Sequence, residues 1–303
     1  MSILLEERSR VLIQGITGQQ ARTHVRYMVK YGTRVVAGVS PGKGGCEIDG
    51  IPVYDTVRAA VRQHGADIAV LFIPGRAARD AALEAIEHDV PLVVILAEGV
   101  PHHDTAEILG RARRRGVRVI GPNAQGMISP GKAKLGGTGG EFPERMFQPG
   151  SVGIISRSGG MGGEIGSALT RRGIGQSTYV SIGGDLLIGT TFADLLPLFE
   201  ADPATRAVTL FGEPGTGHEE ACAELIAAGR VSKPVVAFIA GESLERLPRG
   251  MSFGHTSSLI ARGLGSPARK KAVLREAGAR VAERFGEIPE LVATALSGSG
   301  FEA

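Results

Sequence analysis

The chain has no tryptophan, only two cysteines, 5% aromatic residues and charges that nearly cancel, to a formal net +3 over 303 residues. Each shortage excludes something. Cys46 and Cys222 lie far apart, with no second cysteine beside either and no histidines at ligand spacing. That rules out a disulfide framework and a zinc site and leaves cytosolic thiols, with no metal expected. The small, dispersed positive balance is wrong for a duplex-binding surface, so no nucleic acid is expected and a small anionic ligand is. No purely apolar run is longer than the six residues of 92–97, far short of the roughly 20 residues that cross a bilayer. Glu6 and Glu7 interrupt the N-terminal apolar stretch, which removes the signal-peptide reading and places the protein in the cytoplasm, away from membranes.

Glycine is the residue in surplus, at 45, where average usage of roughly 7% gives about 21. With no G-X-Y period, 16 prolines and 43% hydrophobic residues, the chain is neither collagenous nor disordered but a globular protein with many special turns. Nineteen of the glycines fall between Gly121 and Gly189. The length exceeds what one core usually serves, so two domains of about 150 residues are expected.

Continuous apolar runs at 11–13, 35–36, 68–73, 92–96 and 117–120 read as strands buried on both faces. They alternate with helical patterns at 19–31, 56–64, 76–88 and 104–115, which predicts a doubly wound parallel sheet. A stretch dense in glycine and proline follows, and the alternation then restarts with strands at 152–155, 178–182, 207–211 and 235–239. Helices are expected at 161–172, near 192–200, up to 228, and in the closing segments 274–277 and 289–296. The expected division is therefore 1–125 as a first α/β domain, 126–148 as a glycine-rich connector, and 149–303 as a second α/β domain.

The first strand runs through Gly15-Ile-Thr-Gly18-Gln-Gln into a helix, the context in which backbone amides bind phosphate. Only Gly15 and Gly18 of the three-glycine dinucleotide fingerprint are in register, and a plain tight turn is the bland alternative. NAD proteins place an acid at the end of the next strand. Here that stretch reads Ser40-Pro-Gly-Lys43-Gly-Gly, and a lysine there points to a ribose phosphate, hence to coenzyme A or NADP. No dehydrogenase proton-relay pair stands nearby, so coenzyme A is preferred. The segment 126–133 imitates a nucleotide-binding Walker loop, but Ala133 sits where magnesium needs a hydroxyl, so it is no ATP site. In the second domain, strand 152–155 enters Ser156-Arg157-Ser158-Gly159-Gly160-Met161 and a helix, with Ser158 as its cap; free amides, helix dipole and arginine suit a phosphoryl group or carboxylate.

Six histidines lie within or beside helical patterns with no partner motif and read as ordinary surface or core residues. His255 is different, lying in the glycine-flanked loop Gly254-His255-Thr256-Ser257-Ser258 after the last long strand. A neutral imidazole attacks phosphoryl groups when a carboxylate fixes its tautomer, and Glu213, at another strand end, is the candidate carboxylate.

Taken in order, residues 14–18, 40–45, 98–101, 120–123, 155–159, 181–185 and 254–255 resemble the alpha subunit of succinyl-CoA synthetase and its acid–CoA ligase relatives, across nearly the whole chain. The resemblance implies a Rossmann-like CoA-binding domain followed by a flavodoxin-like domain carrying a phosphohistidine. It implies a ligase in which ATP or GTP, with magnesium, is held mainly by a separate ATP-grasp beta subunit in a heterodimer or heterotetramer. The nucleotide phosphorylates His255, held by Glu213; the phosphoryl group passes to a small carboxylic acid, and CoA takes the acyl group. CoA contacts are implied at Thr17, Gly18, Gln19, Gln20, Lys43, Leu96, Ala97 and Glu98, and phosphate or substrate contacts at Ser158, Gly159, Gly160 and Gly163. Succinate-specific members read Ser-Gly-Thr-Leu-Thr-Tyr-Glu where this chain reads Ser158-Gly-Gly-Met-Gly-Gly-Glu164. The Gly160-Met161 pair is similar to citrate-using relatives, so a citryl-CoA synthetase or ATP-citrate-lyase-like component is the alternative. Thr256-Ser257-Ser258 replaces the family's Ala-Gly-Ala, which keeps a CoA-binding regulatory protein without ligase activity as a further one, and an NADP oxidoreductase as the most distant.

Overall fold

A computed structural model describes residues 2–243 and 265–298. The first half builds a seven-stranded sheet from β1 (Val11–Gln14), β2 (Val35–Val39), β3 (Glu47–Ile48), β4 (Ile51–Tyr54), β5 (Ile68–Leu71), β6 (Leu92–Ile95) and β7 (Arg118–Ile120). Its order is β3-β4-β2-β1-β5-β6-β7, parallel throughout except for the β3–β4 pair. Helices α1 (Gln19–Lys30), α2 (Val57–His64), α3 (Ala78–Glu87) and α4 (His102–Arg115) make the crossovers. Every residue of β1, β5 and β6 is buried, which is why, apart from Gln14 at the end of β1, these strands read as unbroken apolar runs rather than alternating ones. Without the short β3, the order is that of a dinucleotide-binding Rossmann sheet, and it reverses between β1 and β5.

The second sheet has the order β14-β13-β12-β10-β11-β8-β9. Its parallel strands are β10 (Pro149–Ser156), β11 (Gln176–Ser181), β12 (Ala207–Gly212), β13 (Val235–Ile239) and β14 (Arg280–Ala282), in the flavodoxin-like order that reverses between β10 and β12. Around them lie α5 (Gly159–Thr170), α6 (Phe192–Ala201), α7 (His218–Ala227), α8 (Pro267–Glu276) and α9 (Ile288–Gly298). Two doubly wound α/β units thus follow one another, each with a strand-order reversal where ligands of such sheets bind.

The segment 126–148, expected as a connector, differs from that expectation. Its first part forms the hairpin β8 (Gly126–Ser129) and β9 (Ala133–Gly136), which extends the second sheet through an antiparallel β8–β11 pairing. The glycines that suggested a loop are demanded by close approach: a Cβ on Gly126 would lie 2.1 Å from the Leu135 carbonyl oxygen. β9 also reaches back to the first unit, where Thr33 Oγ1 donates to the Lys134 carbonyl at 2.7 Å. One hydrophobic cluster runs through both units, with Val11 and Ile13 of β1 in the same core as Phe199 and Leu210.

The loop after β11 closes the junction. Asn123 Nδ2 donates to Asp185 Oδ1 at 3.0 Å, and Thr190 Oγ1 to the Val119 carbonyl at 2.6 Å. Gly183, at φ 99°, would set a Cβ 2.1 Å from the Pro122 carbonyl oxygen, so a side chain there would push the loop off the first unit.

Candidate functional site

At the first reversal point, β1 ends in a turn whose Gly15 has φ 79° and donates its N–H to the Val39 carbonyl at 2.8 Å. A Cβ on Gly15 would sit 2.4 Å from the Phe72 carbonyl oxygen, because the turn is pressed against the end of β5. Gly18 is the N-cap of α1, and no side chain caps that helix. Its first-turn amides therefore have no side-chain acceptor, and the positive end of the helix dipole lies behind them.

A cavity of about 480 Å³ opens there, lined by Gly18, Gln19 and Gln20 on one side and by Leu96, Ala97 and Glu98 on the other, with Phe72 and Pro74 between. The two CoA-contact segments read from the sequence thus share one cavity. Thr17 lines an adjoining cavity of about 520 Å³ with Ser40 and Pro41, and its hydroxyl lies 3.1 Å from that of Ser40. Asp80 and Glu84 line the same adjoining cavity, so the uncapped end of α1 is the better seat for phosphate. Lys43 is exposed on the turn beyond Ser40 and lines neither cavity.

At the second reversal point, the ends of β10 and β12 bring Arg157, Ser158 and Glu213 together. Arg157 is 1% exposed and donates through Nη2 to the Asp185 carbonyl at 3.0 Å. Burial lowers its pKa, and the charges of Glu219, Glu213 and Asp185, in that order, oppose the fall. Ser158 is the N-cap of α5 and its Oγ accepts from the Met161 N–H at 3.4 Å. Glu213 is 9% exposed, and its N–H donates to Glu219 Oε1 at 3.1 Å.

The glycines that open α5 differ in purpose. Cβ atoms on Gly159 and Gly162 would collide with Gln125 and with the Tyr179 ring, each at 2.4 Å. At Gly160 nothing lies within 4 Å, and at Gly163 the nearest atom is Met146 Sδ at 3.6 Å. Gly159 and Gly162 serve packing, Gly163 is buried with Met146 at contact distance, and Gly160 alone leaves open space. His255 and the Thr256–Ser258 triplet that follows it lie outside the described residues.

Sequence reasoning missed the buried charges below this site. Glu219, fully buried, accepts from Lys270 Nζ at 2.5 Å, and the same nitrogen reaches Glu220 Oε2 at 2.7 Å. His218, read as an ordinary helix histidine, has its imidazole pushed down to about 4, chiefly by burial, then by Arg157 and Lys270, with Asp194 pulling the other way. The unfolded chain then binds a proton near pH 6.5 that the folded chain refuses until about pH 4. Stability contributed by the neutral ring is present above pH 6.5 and is lost as pH falls toward 4, by at most about 1.4 kcal/mol per pH unit. Urea unfolding of His218→Gln is expected to show a flatter dependence in that window than the parent; equal slopes would contradict the burial.

Residues 6–99 match the CoA binding domain family, and residues 149–295 match the succinyl-CoA ligase like flavodoxin domain. The N-terminal unit is therefore a CoA-binding domain. An ADP-forming succinate–CoA ligase alpha subunit of Archaeoglobus fulgidus is 46% identical over 98% of this chain and 100% of its own length. An ADP-forming sulfoacetate–CoA ligase subunit of Bilophila wadsworthia is 39% identical, again over 98% of this chain and 100% of its own. The solved structure of ATP citrate lyase from Methanothrix soehngenii, in complex with citrate and coenzyme A, superposes with a TM-score of 0.90 at 26% identity. That match covers 99% of this chain and 53% of the other, so the chain spans about half of the lyase's length. No helix among the described residues is long and apolar enough to cross a membrane. With both domain families in sequence and full-length relatives at this identity, the chain belongs to the succinate–CoA ligase alpha-subunit family.

Proposed function

We propose that this chain is the alpha subunit of a nucleotide-dependent acid–CoA ligase of the succinyl-CoA type, acting with an ATP-grasp beta subunit that holds ATP or GTP with magnesium. The observation that carries the reading is the pairing, in one chain, of an uncapped helix end beside a cavity and a second helix end beside a buried arginine and carboxylate. Each lies at the reversal point of its own sheet.

The donors at the first site fit coenzyme A: Gln19 and Gln20 offer amides to its pyrophosphate at the turn set by Gly18, and the Leu96–Glu98 wall flanks it. Thr17 adds a hydroxyl, and Lys43 on the neighbouring turn pairs with the ribose phosphate. Bound CoA supplies the thiol that receives the acyl group. In the second unit, His255 carries the phosphoryl group between the partner's nucleotide and the acid, and Glu213 accepts the far imidazole N–H so that the attacking nitrogen is unprotonated. Ser158 holds the start of α5, whose amides at Gly159 and Gly160 stabilise the phosphoryl oxygens together with the Arg157 charge. Protein and substrates change only by phosphoryl transfer from nucleotide to histidine to carboxylate, followed by displacement of phosphate by the thiol.

The open space at Gly160 favours one second reading, an acid larger than succinate such as citrate, in line with the fold shared with ATP citrate lyase. The complex, copurified with its partner, should consume CoA in an acid- and nucleotide-dependent way when offered succinate, citrate and sulfoacetate separately. Thioester from succinate supports the first reading, and thioester from citrate alone supports the second. CoA binding with no thioester from any acid would overturn both in favour of a regulatory protein.

A further inference from the structure

The loop that carries Glu213 is anchored from below by two buried, oppositely charged side chains. Glu219, near the start of α7, is 0% exposed and turns back under β12: its Oε1 accepts the Glu213 N–H at 3.1 Å. A Cβ on Gly212 would meet that same oxygen at 2.7 Å, so the carboxylate lies directly beneath the strand end. The second oxygen, Oε2, accepts from Lys270 Nζ at 2.5 Å. Lys270 is also 0% exposed and comes from α8, the first helix described after the segment that carries His255. Its ammonium further donates to the Thr216 carbonyl at 3.0 Å and to Glu220 Oε2 at 2.7 Å. Beside this cluster the Gly215 N–H donates to the Gly265 carbonyl at 2.8 Å, a direct tie between the Glu213 loop and the chain just beyond the His255 segment.

Two fully buried charges are costly to desolvate, and an apolar pair of similar volume would serve packing at least as well. What an apolar pair cannot supply is an acceptor for the Glu213 amide and a donor for the Thr216 carbonyl on the same loop. We propose that Glu219 and Lys270 are positioning residues of the phosphoryl site, their buried ion pair holding the Glu213 loop in register with the start of α8. The inference rests on the proposed function for what the loop does, but not for how the loop is held.

Two double variants separate positioning from packing. Glu219→Gln with Lys270→Met removes both charges yet keeps an oxygen for the Glu213 N–H, whereas Glu219→Leu with Lys270→Met removes that acceptor too. Each is assembled with its partner subunit, and three quantities are read: the rate at which γ-labelled ATP delivers label to the chain, the affinity for CoA, and hydrogen exchange at the Glu213 and Gly215 amides. The leucine pair is expected to take label roughly 10- to 100-fold more slowly than the glutamine pair, the consequence of one buried amide left without its acceptor. Its Glu213 amide should exchange faster, and CoA affinity should match the parent in both. Lys270→Met alone, which strands the Glu219 carboxylate, should be slower than the Glu219→Gln/Lys270→Met pair, because neutralising the partner rescues it.

Equal labelling rates in the two double variants would overturn the proposal, as would unchanged exchange at Glu213 in the leucine pair. A parent complex that takes no label at all would contradict the proposed function instead, and the exchange data would then decide the positioning role by themselves.

Discussion

Arg157→Leu is expected to abolish phosphoryl transfer and to lower stability by about 3–5 kcal/mol, the usual result of removing one partner from a buried group of charges. Arg157 is 1% exposed, and Glu219, Glu213 and Asp185 all act on its charge. Leucine would take from these three carboxylates the buried positive charge that acts on them. The Asp185 carbonyl would also lose the Nη2 donor at 3.0 Å that ties the loop after β11 to the site. Arg157→Lys keeps the charge but not the planar fork, so it should recover most of the stability and little of the transfer. Urea unfolding measures the first effect and label uptake from γ-labelled ATP the second. A stable, fully labelled Arg157→Leu chain would remove Arg157 from the site.

Gly15→Val should produce the opposite separation, a loss of CoA affinity on the order of 100-fold with label uptake at the second site intact. At φ 79° an L-residue pays a left-handed penalty of roughly 1–2 kcal/mol, and β-branching at valine makes it worse. The larger effect is steric, since the Phe72 carbonyl oxygen stands 2.4 Å from where the Cβ must go. The turn has to open, and Gly18 and the first amides of α1 move with it, away from Leu96–Glu98 across the cavity. Titration calorimetry with CoA, beside a labelling assay on the same preparation, reads both halves. Unchanged CoA affinity would mean that the glycine turn is only a tight corner between strand and helix.

These two variants also mark how far the sequence could be read. The strands β1, β5 and β6 were legible because burial on both faces leaves them apolar throughout, apart from Gln14 at the end of β1. The turn at Gly15 and the cap at Ser158 were legible because both depend on local backbone chemistry that only a few residue types satisfy. The β8–β9 hairpin was not, since Gly126 and Gly136 are there for close backbone approach and look in sequence like loop glycines. β14, only three residues long, has no periodicity to detect, although the alternation leading to it does.

Least legible was the floor of the second site. Glu219 and Glu220 open a helix, where acids are expected for the dipole alone, and Lys270 sits among Arg269 and Lys271 like any basic surface residue. Nothing local distinguishes a charge destined for burial from one destined for water. The partner that makes burial tolerable is 51 residues away in the chain. The same holds for the shared cavity of Gly18–Gln20 and Leu96–Glu98, which exists only because β6 lies two strands from β1.

The central claim is that this chain carries a phosphoryl group on His255 between a nucleotide and an acid. Its most direct test is to incubate the complete complex with γ-labelled ATP and to locate acid-labile phosphate on the chain by peptide mapping. The account predicts label on the His255 peptide, its discharge on addition of ADP, and its absence from His255→Asn. Undiminished acid-labile label on His255→Asn would contradict it.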